Sequence, residues 1–143
     1  MKTTEKLKGT VITGVVGEDV HIVGITVLGH ALRKAGFNVV ALGAQVPQED
    51  FIGAAIETKA DAILVSSLGG HAKELVQEFK DKCFEAGLGD IRLYIGGHLV
   101  IGETRWEDVE KSFKRLGFNR VYPPGVSMKQ VVEDLESDLK GRN

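Results

Sequence analysis

The chain has 143 residues, enough for one domain that buries about 70% of its unfolded surface, and its 43% hydrophobic and 27% charged residues are ordinary for a globular protein. A net charge of −2 excludes a basic face for nucleic acid. No apolar run approaches the roughly 20 residues that span a bilayer, the charged start MKTTEKLKGT has no secretory apolar core, and one cysteine excludes an internal disulfide, so a cytoplasmic location is expected.

In chain order, residues 10–16 (TVITGVV) form a predicted strand and 25–35 a helix closed by Gly36. Residues 39–43 (VVALG) form a strand and 48–58 a helix, with Pro47 in its first turn where a missing N–H costs nothing. Residues 62–66 (AILVS) form a strand and 73–86 a helix ending at Gly87; in that helix Cys83 joins Leu75, Val76 and Phe79 as core. Residues 91–96 (IRLYIG) form a strand, and 105–116 a helix that stops at Gly117. Residues 120–122 (RVY) form a strand and 128–140 the last helix. Thr104-Arg105-Trp106-Glu107 and Ser127-Met128-Lys129-Gln130 both match the capping box, in which a hydroxyl and a third-position acid or amide satisfy free backbone donors at a helix start.

The strands are short and aliphatic, as strands covered on both faces are. Five strand-helix repeats with short connections predict an α/β, flavodoxin-like, doubly wound five-stranded parallel sheet in the order 2-1-3-4-5, as one domain over 1–143 with a core at about 10–140. Ligands of such sheets bind beyond the carboxyl ends of the strands. The turns there are GEDVHIVG (17–24), SSLGGHA (66–72), GGHLVIG (96–102) and PPGVS (123–127). They carry His21, His71 and His98, while His30 falls within the first helix.

Common uses of this architecture fail on particular positions. Gly14 and Gly17 lack the G-x-G-x-x-G spacing of a dinucleotide site. The first turn holds Glu18, Asp19 and His21 in place of a hydroxyl-rich phosphate loop, and Ser66 and Pro123 stand where a phospho-acceptor domain needs Asp and Lys. The remaining signal is Asp19-x-His21. A neutral imidazole can ligate a metal through one nitrogen while its other N–H donates to a carboxylate, which fixes the tautomer and raises the ligand's basicity. One such His is too few for a protein-bound zinc, but sufficient for a metal held mainly by a macrocycle.

Asp19-x-His21-x-x-Gly24, Ser66-x-Leu68 and Gly96-Gly97, in this order at strand ends, resemble the signature of cobalamin-binding domains. GFNVVALG (36–43), QEDFIGAAIETKADAILVSSL (48–68) and GFNRVYPPGVS (117–127) extend the likeness to the small subunits of glutamate (methylaspartate) mutases, from about Thr10 onward. The resemblance implies His21 as lower axial ligand of cobalt in adenosylcobalamin, with its own base displaced, and Asp19 hydrogen-bonded behind it. It implies Glu18, Val20 and Ile22 on the corrin side, and Gly24 where the first helix starts close to the corrin. Ser66, Ser67 and Leu68 would meet the nucleotide tail, His98, Leu99, Val100, Ile101 and Gly102 would close its slot, and Gly97 and Gly125 would leave backbone room. Two departures stand out: Val20 replaces the family's Cys, and Gly69-Gly70-His71 replace its Tyr and Gln; both leave His21 in place.

The first strand starts near Thr10, leaving no room for a helical cap ahead of it, so another chain is expected to cover the cofactor. The resemblance implies a larger barrel subunit that binds L-glutamate, in a heterotetramer of two small and two large chains. It implies radical interconversion of L-glutamate and threo-3-methyl-L-aspartate, with no catalytic acid or base in this chain and no turnover by it alone. Three alternatives stay open: a corrinoid methyl carrier for a methyltransferase, the cobalamin subunit of a related carbon-skeleton mutase, and a zinc or nickel module using His21, His71 and His98.

Overall fold

Val11, Ile12, Ile63, Leu64, Leu93 and Tyr94 are each at most 2% exposed. Consecutive residues of a strand point to opposite faces, so burial of both neighbours means a sheet covered on both sides. In the computed structural model, which describes residues 7–16, 23–67, 72–97, 99 and 104–140, the elements run β1 (Thr10–Val15), α1 (Val23–Lys34), β2 (Asn38–Ala41), α2 (Gln48–Thr58), β3 (Ala62–Ser67), α3 (Ala72–Leu75), α4 (Phe79–Glu85), β4 (Arg92–Gly97), α5 (Trp106–Arg115), β5 (Arg120–Val121) and α6 (Met128–Leu139). The strands form one parallel sheet in the order β2-β1-β3-β4-β5, as predicted.

Two apolar layers result. On one face Leu28 and Leu32 of α1 and Val131, Leu135 and Leu139 of α6 pack on Val11, Leu64, Tyr94 and Tyr122. On the other, α2, α4 and α5 bury Phe51, Phe79, Cys83, Val109 and Phe113 against Ile12, Ile63, Leu93 and Ile95. Cys83 is fully buried there, and burial pushes its thiol up to about 11, so it acts as a core residue.

The helix expected over 73–86 is broken into α3 and α4. At the break, Gln48 Nε2 of α2 donates to the Leu75 carbonyl, the acceptor that Phe79 N–H would use in a continuous helix. Phe79 N–H turns instead to Val76 O at 3.1 Å. Leu75, placed in the core by its spacing, is 38% exposed.

Helix ends follow the expected chemistry with two exceptions. Ser127 caps α6, accepting from Gln130 N–H at 3.1 Å, but the Gln130 side chain reaches forward to Asp134 Oδ1 at 2.8 Å, so this box is one-sided. Arg105 occupies the cap position of α5 with no side-chain cap bond, which leaves Thr104 one residue too early for the predicted box. Pro47 is the cap of α2, just ahead of its first turn. Gly36, Gly87 and Gly117 all have positive φ where the helices stop.

Candidate functional site

Parallel register brings the carboxyl ends of β1, β3 and β4 together: Val15 pairs with Ser66, and Ser66 with Gly96. Beyond that row, a cleft of about 230 Å³ opens on the α1/α6 face of the sheet. Leu64, Ser66, Tyr94, Gly96 and Tyr122 form its floor. Gly24, Ile25 and Leu28 of α1 supply one wall and Met128 and Val131 of α6 the other, with Pro123, Pro124, Gly125 and Val126 at the rim.

The lining of the cleft is mainly apolar, and the half-buried Ser66 adds a hydroxyl to it. Pockets for whole drug-sized ligands span roughly 300–1,000 Å³, so the cleft lined by the described residues is of a size for one small flat group. Among the described residues, a Cβ on Gly24 would meet no atom within 4 Å beyond its chain neighbours and its own helix backbone. Glycine in a helix interior costs roughly 0.5–1 kcal/mol relative to alanine, and packing against the described residues does not require it at this first-turn position. Gly125 has a different reason: at φ +85° it is the third residue of the turn closed by Val126 N–H to Pro123 O, the position that demands positive φ in a type II turn.

Gly97 serves the protein rather than the open space. Its φ is +105°, and a Cβ would stand 2.2 Å from the Ser67 carbonyl oxygen. Ser67 does not line the cleft; it is 1% exposed with Oγ lacking a hydrogen-bond partner among the described residues. Leu99 is buried in the layer of α2, α4 and α5, away from the cleft. Of the expected site residues, Gly24, Ser66, Gly97 and Gly125 thus gather at one cleft, whereas Ser67 and Leu99 do not reach it. Glu18, Asp19, Val20, His21, Ile22, Leu68, His98, Val100, Ile101 and Gly102 lie outside the described residues, as does His71.

Nothing in the sequence marks the tyrosines of the floor as site residues, because within β-branched and aliphatic runs they read as core. Their rings meet edge to face with centroids 5.8 Å apart. Tyr122 donates to Asp134 Oδ2 at 2.7 Å, and Tyr94 donates to Asp138. Arg120 grips Asp138 through Nε at 2.8 Å and Nη2 at 2.9 Å, and its Nη1 lies 3.5 Å from Asp134. Burial first, then the adjoining carboxylate, raises both phenols well above the ordinary tyrosine range. The hydrogen bond from Arg120 holds the Asp138 carboxyl below its usual value.

These shifts predict the pH dependence of stability. A phenol whose folded pKa is raised contributes stability that is complete below its unfolded value, near 10, and is lost as pH climbs beyond it; a depressed carboxyl contributes above its unfolded value, near 3.9, and loses this as pH falls. Thermal melting midpoints should therefore be flat from about pH 5 to 9 and fall on either side. In Asp138→Asn the acid limb should flatten, and an unchanged limb would exclude Asp138 as its source.

No group of three or more His, Cys, Asp or Glu suited to a metal ion occurs among the described residues, and none of the described helices is long and apolar enough to cross a membrane. The B12 binding domain family matches residues 9–111. The glutamate mutase sigma subunit of Clostridium tetani is 53% identical over 92% of this chain and 96% of that protein, and its counterpart from Clostridium cochlearium is 52% identical over the same shares. Among solved structures, the methanol:cobalamin methyltransferase complex of Methanosarcina barkeri superposes with a TM-score of 0.74 at 27% identity. That match takes in 99% of this chain but only 50% of the solved one. An apolar cleft at the β1/β3 switch point, a D-x-H-x-x-G sequence over residues 19–24 and identity near one half over almost the whole length converge on one assignment. The chain belongs to the B12-binding domain family and, within it, to the glutamate mutase sigma subunits.

Proposed function

We propose that this chain holds adenosylcobalamin for a glutamate mutase, with His21 as lower axial ligand and the cleft between α1 and α6 receiving the displaced nucleotide tail. The observation that carries the reading is the 53% identity to a glutamate mutase sigma subunit over 92% of the chain. The cleft supports it independently: its size admits one bicyclic base, Ser66 offers a hydroxyl to a polar edge, and Gly24 and Gly96 keep side chains out of the way.

In this reading Asp19 accepts the far N–H of His21, so that the nitrogen facing the metal keeps its lone pair. Glu18, Val20 and Ile22 face the corrin from the same turn, and Leu68, His98, Val100, Ile101 and Gly102 flank the tail. Ser67 and Leu99 act from beneath, through packing. The bound cofactor supplies an adenosyl radical from its weak cobalt–carbon bond, and the protein supplies position and electronics. L-Glutamate binds on a larger barrel subunit, two of which assemble with two copies of this chain. A methyl-carrier role is favoured less, since the methyltransferase complex is similar at 27% identity against 53% for the sigma subunit.

The test is reconstitution. The chain alone with adenosylcobalamin and L-glutamate should form no 3-methylaspartate, and adding the larger subunit should start turnover. Turnover by the chain alone, or remethylation of its cobalt by a methyltransferase with no mutase activity, would refute the assignment.

Gly24→Ala separates ligand room from fold. Because the new methyl meets no atom of the described residues within 4 Å beyond its own helix and chain neighbours, melting should show stability kept or raised by up to roughly 0.5–1 kcal/mol, while equilibrium dialysis should show weaker cobalamin binding. If stability and affinity rose together, Gly24 would not be there for the cofactor.

A further inference from the structure

Tyr94 and Tyr122 line the cleft and carry their hydroxyls to α6, where Asp138 and Asp134 accept them. Those acids are four residues apart, so they stand one above the other on one face of the helix, a spacing at which like charges repel. Arg120 makes the arrangement tenable by bonding Asp138 with two nitrogens and reaching Asp134 with a third. Further up the same helix, Met128 and Val131 form a wall of the cleft.

The hydroxyl bonds therefore act on both sides of the space. They prevent the edge-to-face rings from turning, and they fix α6 against β4 and β5, which sets how far its first turns stand from those of α1. Gly96 completes the floor, for a Cβ there would sit 3.4 Å from Tyr122 Cβ and stand beside its ring. We infer that Asp134 and Asp138, joined through Arg120, are positioning residues that hold the Tyr94–Tyr122 floor and the α6 wall at the separation a flat heteroaromatic base requires. The inference rests on the reading that the cleft takes the nucleotide tail of a corrinoid.

The test compares cobalamin with cobinamide, a corrinoid lacking that tail, by equilibrium dialysis against the whole chain and its Asp134→Asn, Asp138→Asn and Tyr122→Phe variants. Expected is a loss of roughly 10-fold in cobalamin affinity, the lower end for groups that act through another, with cobinamide affinity kept within about 2-fold of the parent chain. Equal losses for both corrinoids, or none for either, would overturn the inference and leave the network a purely structural one. Failure of the underlying reading looks different, because the unmodified chain would then bind cobinamide as tightly as cobalamin. Should Asp138→Asn fail to give a cooperative melt, Tyr122→Phe, which keeps the ring and removes only its tether, decides the matter with the same two ligands.

Discussion

Replacing His21 by alanine is expected to weaken cobalamin binding by roughly 100-fold or more, above what removing a supporting group achieves, and to leave the benzimidazole on the metal. Binding with the tail displaced is an exchange of ligands. Drawing the tail out of its own coordination position costs a metal–nitrogen bond, and only a replacement nitrogen restores it. In the proposed reading, burial of the tail in the apolar cleft of about 230 Å³ would add to the gain. Without His21 the first term is missing and the second alone must drive the tail off cobalt. Asp19→Ala should be milder, on the order of 10–100-fold, because the imidazole stays and loses only the carboxylate that sets its tautomer. Dialysis with the absorption spectrum of the bound cofactor reads both quantities. An alanine variant at residue 21 with unchanged affinity and unchanged spectrum would remove the ligand assignment.

Gly97→Ala has the largest expected effect on the fold. The added Cβ would lie 2.2 Å from the Ser67 carbonyl oxygen, and 3.0 Å from its carbonyl carbon. These are backbone atoms of the adjoining strand, so no side-chain rotation relieves the contact. At φ +105° an L-residue is strained in any case. Positive φ and overpacking together should cost roughly 2–5 kcal/mol, seen as a lowered urea midpoint. The ends of β3 and β4 must separate to admit the methyl, which moves Ser66 and Gly96 in the cleft floor, so cobalamin affinity should fall as well. Full stability in this variant would mean that the two strand ends do not approach as closely as they do here.

Much of the fold was legible because local signals agreed with the long-range result. The strands fall within two residues of their expected ends, α2 matches its predicted bounds, and the aliphatic character of β1, β3 and β4 foretold a sheet covered on both faces. What failed locally was decided elsewhere. The break between α3 and α4 coincides with a hydrogen bond from an amide of α2, a contact that no pattern within residues 73–86 encodes. The stop of α2 at Lys59 has φ +55° with no glycine to signal it.

The site was legible where chemistry sits in a turn. Gly24, Ser66 and Gly125 stood out by type and place, and all three line the cleft. Ser67 did not follow its neighbour, because side chains alternate along a strand and one residue's shift changes the face. Gly97 lines the cleft too, but the contact that excludes a side chain there comes from Ser67 and not from a ligand. Tyr94, Tyr122, Asp134 and Asp138 were invisible for another reason: a tyrosine in a strand and an acid on a helix are commonplace, and only their pairing across 12 and 44 residues gives them a role.

The central claim is that a histidine nitrogen of this chain occupies the lower face of cobalt. Its most direct test is the electron paramagnetic resonance spectrum of cob(II)alamin bound to protein grown with histidine carrying the heavy nitrogen isotope in its ring. The account predicts that the triplet splitting from the axial nitrogen collapses to a doublet, since the label changes the nuclear spin of the bound atom. A triplet that persists in the labelled protein would place the cofactor's own benzimidazole on the metal and contradict the account.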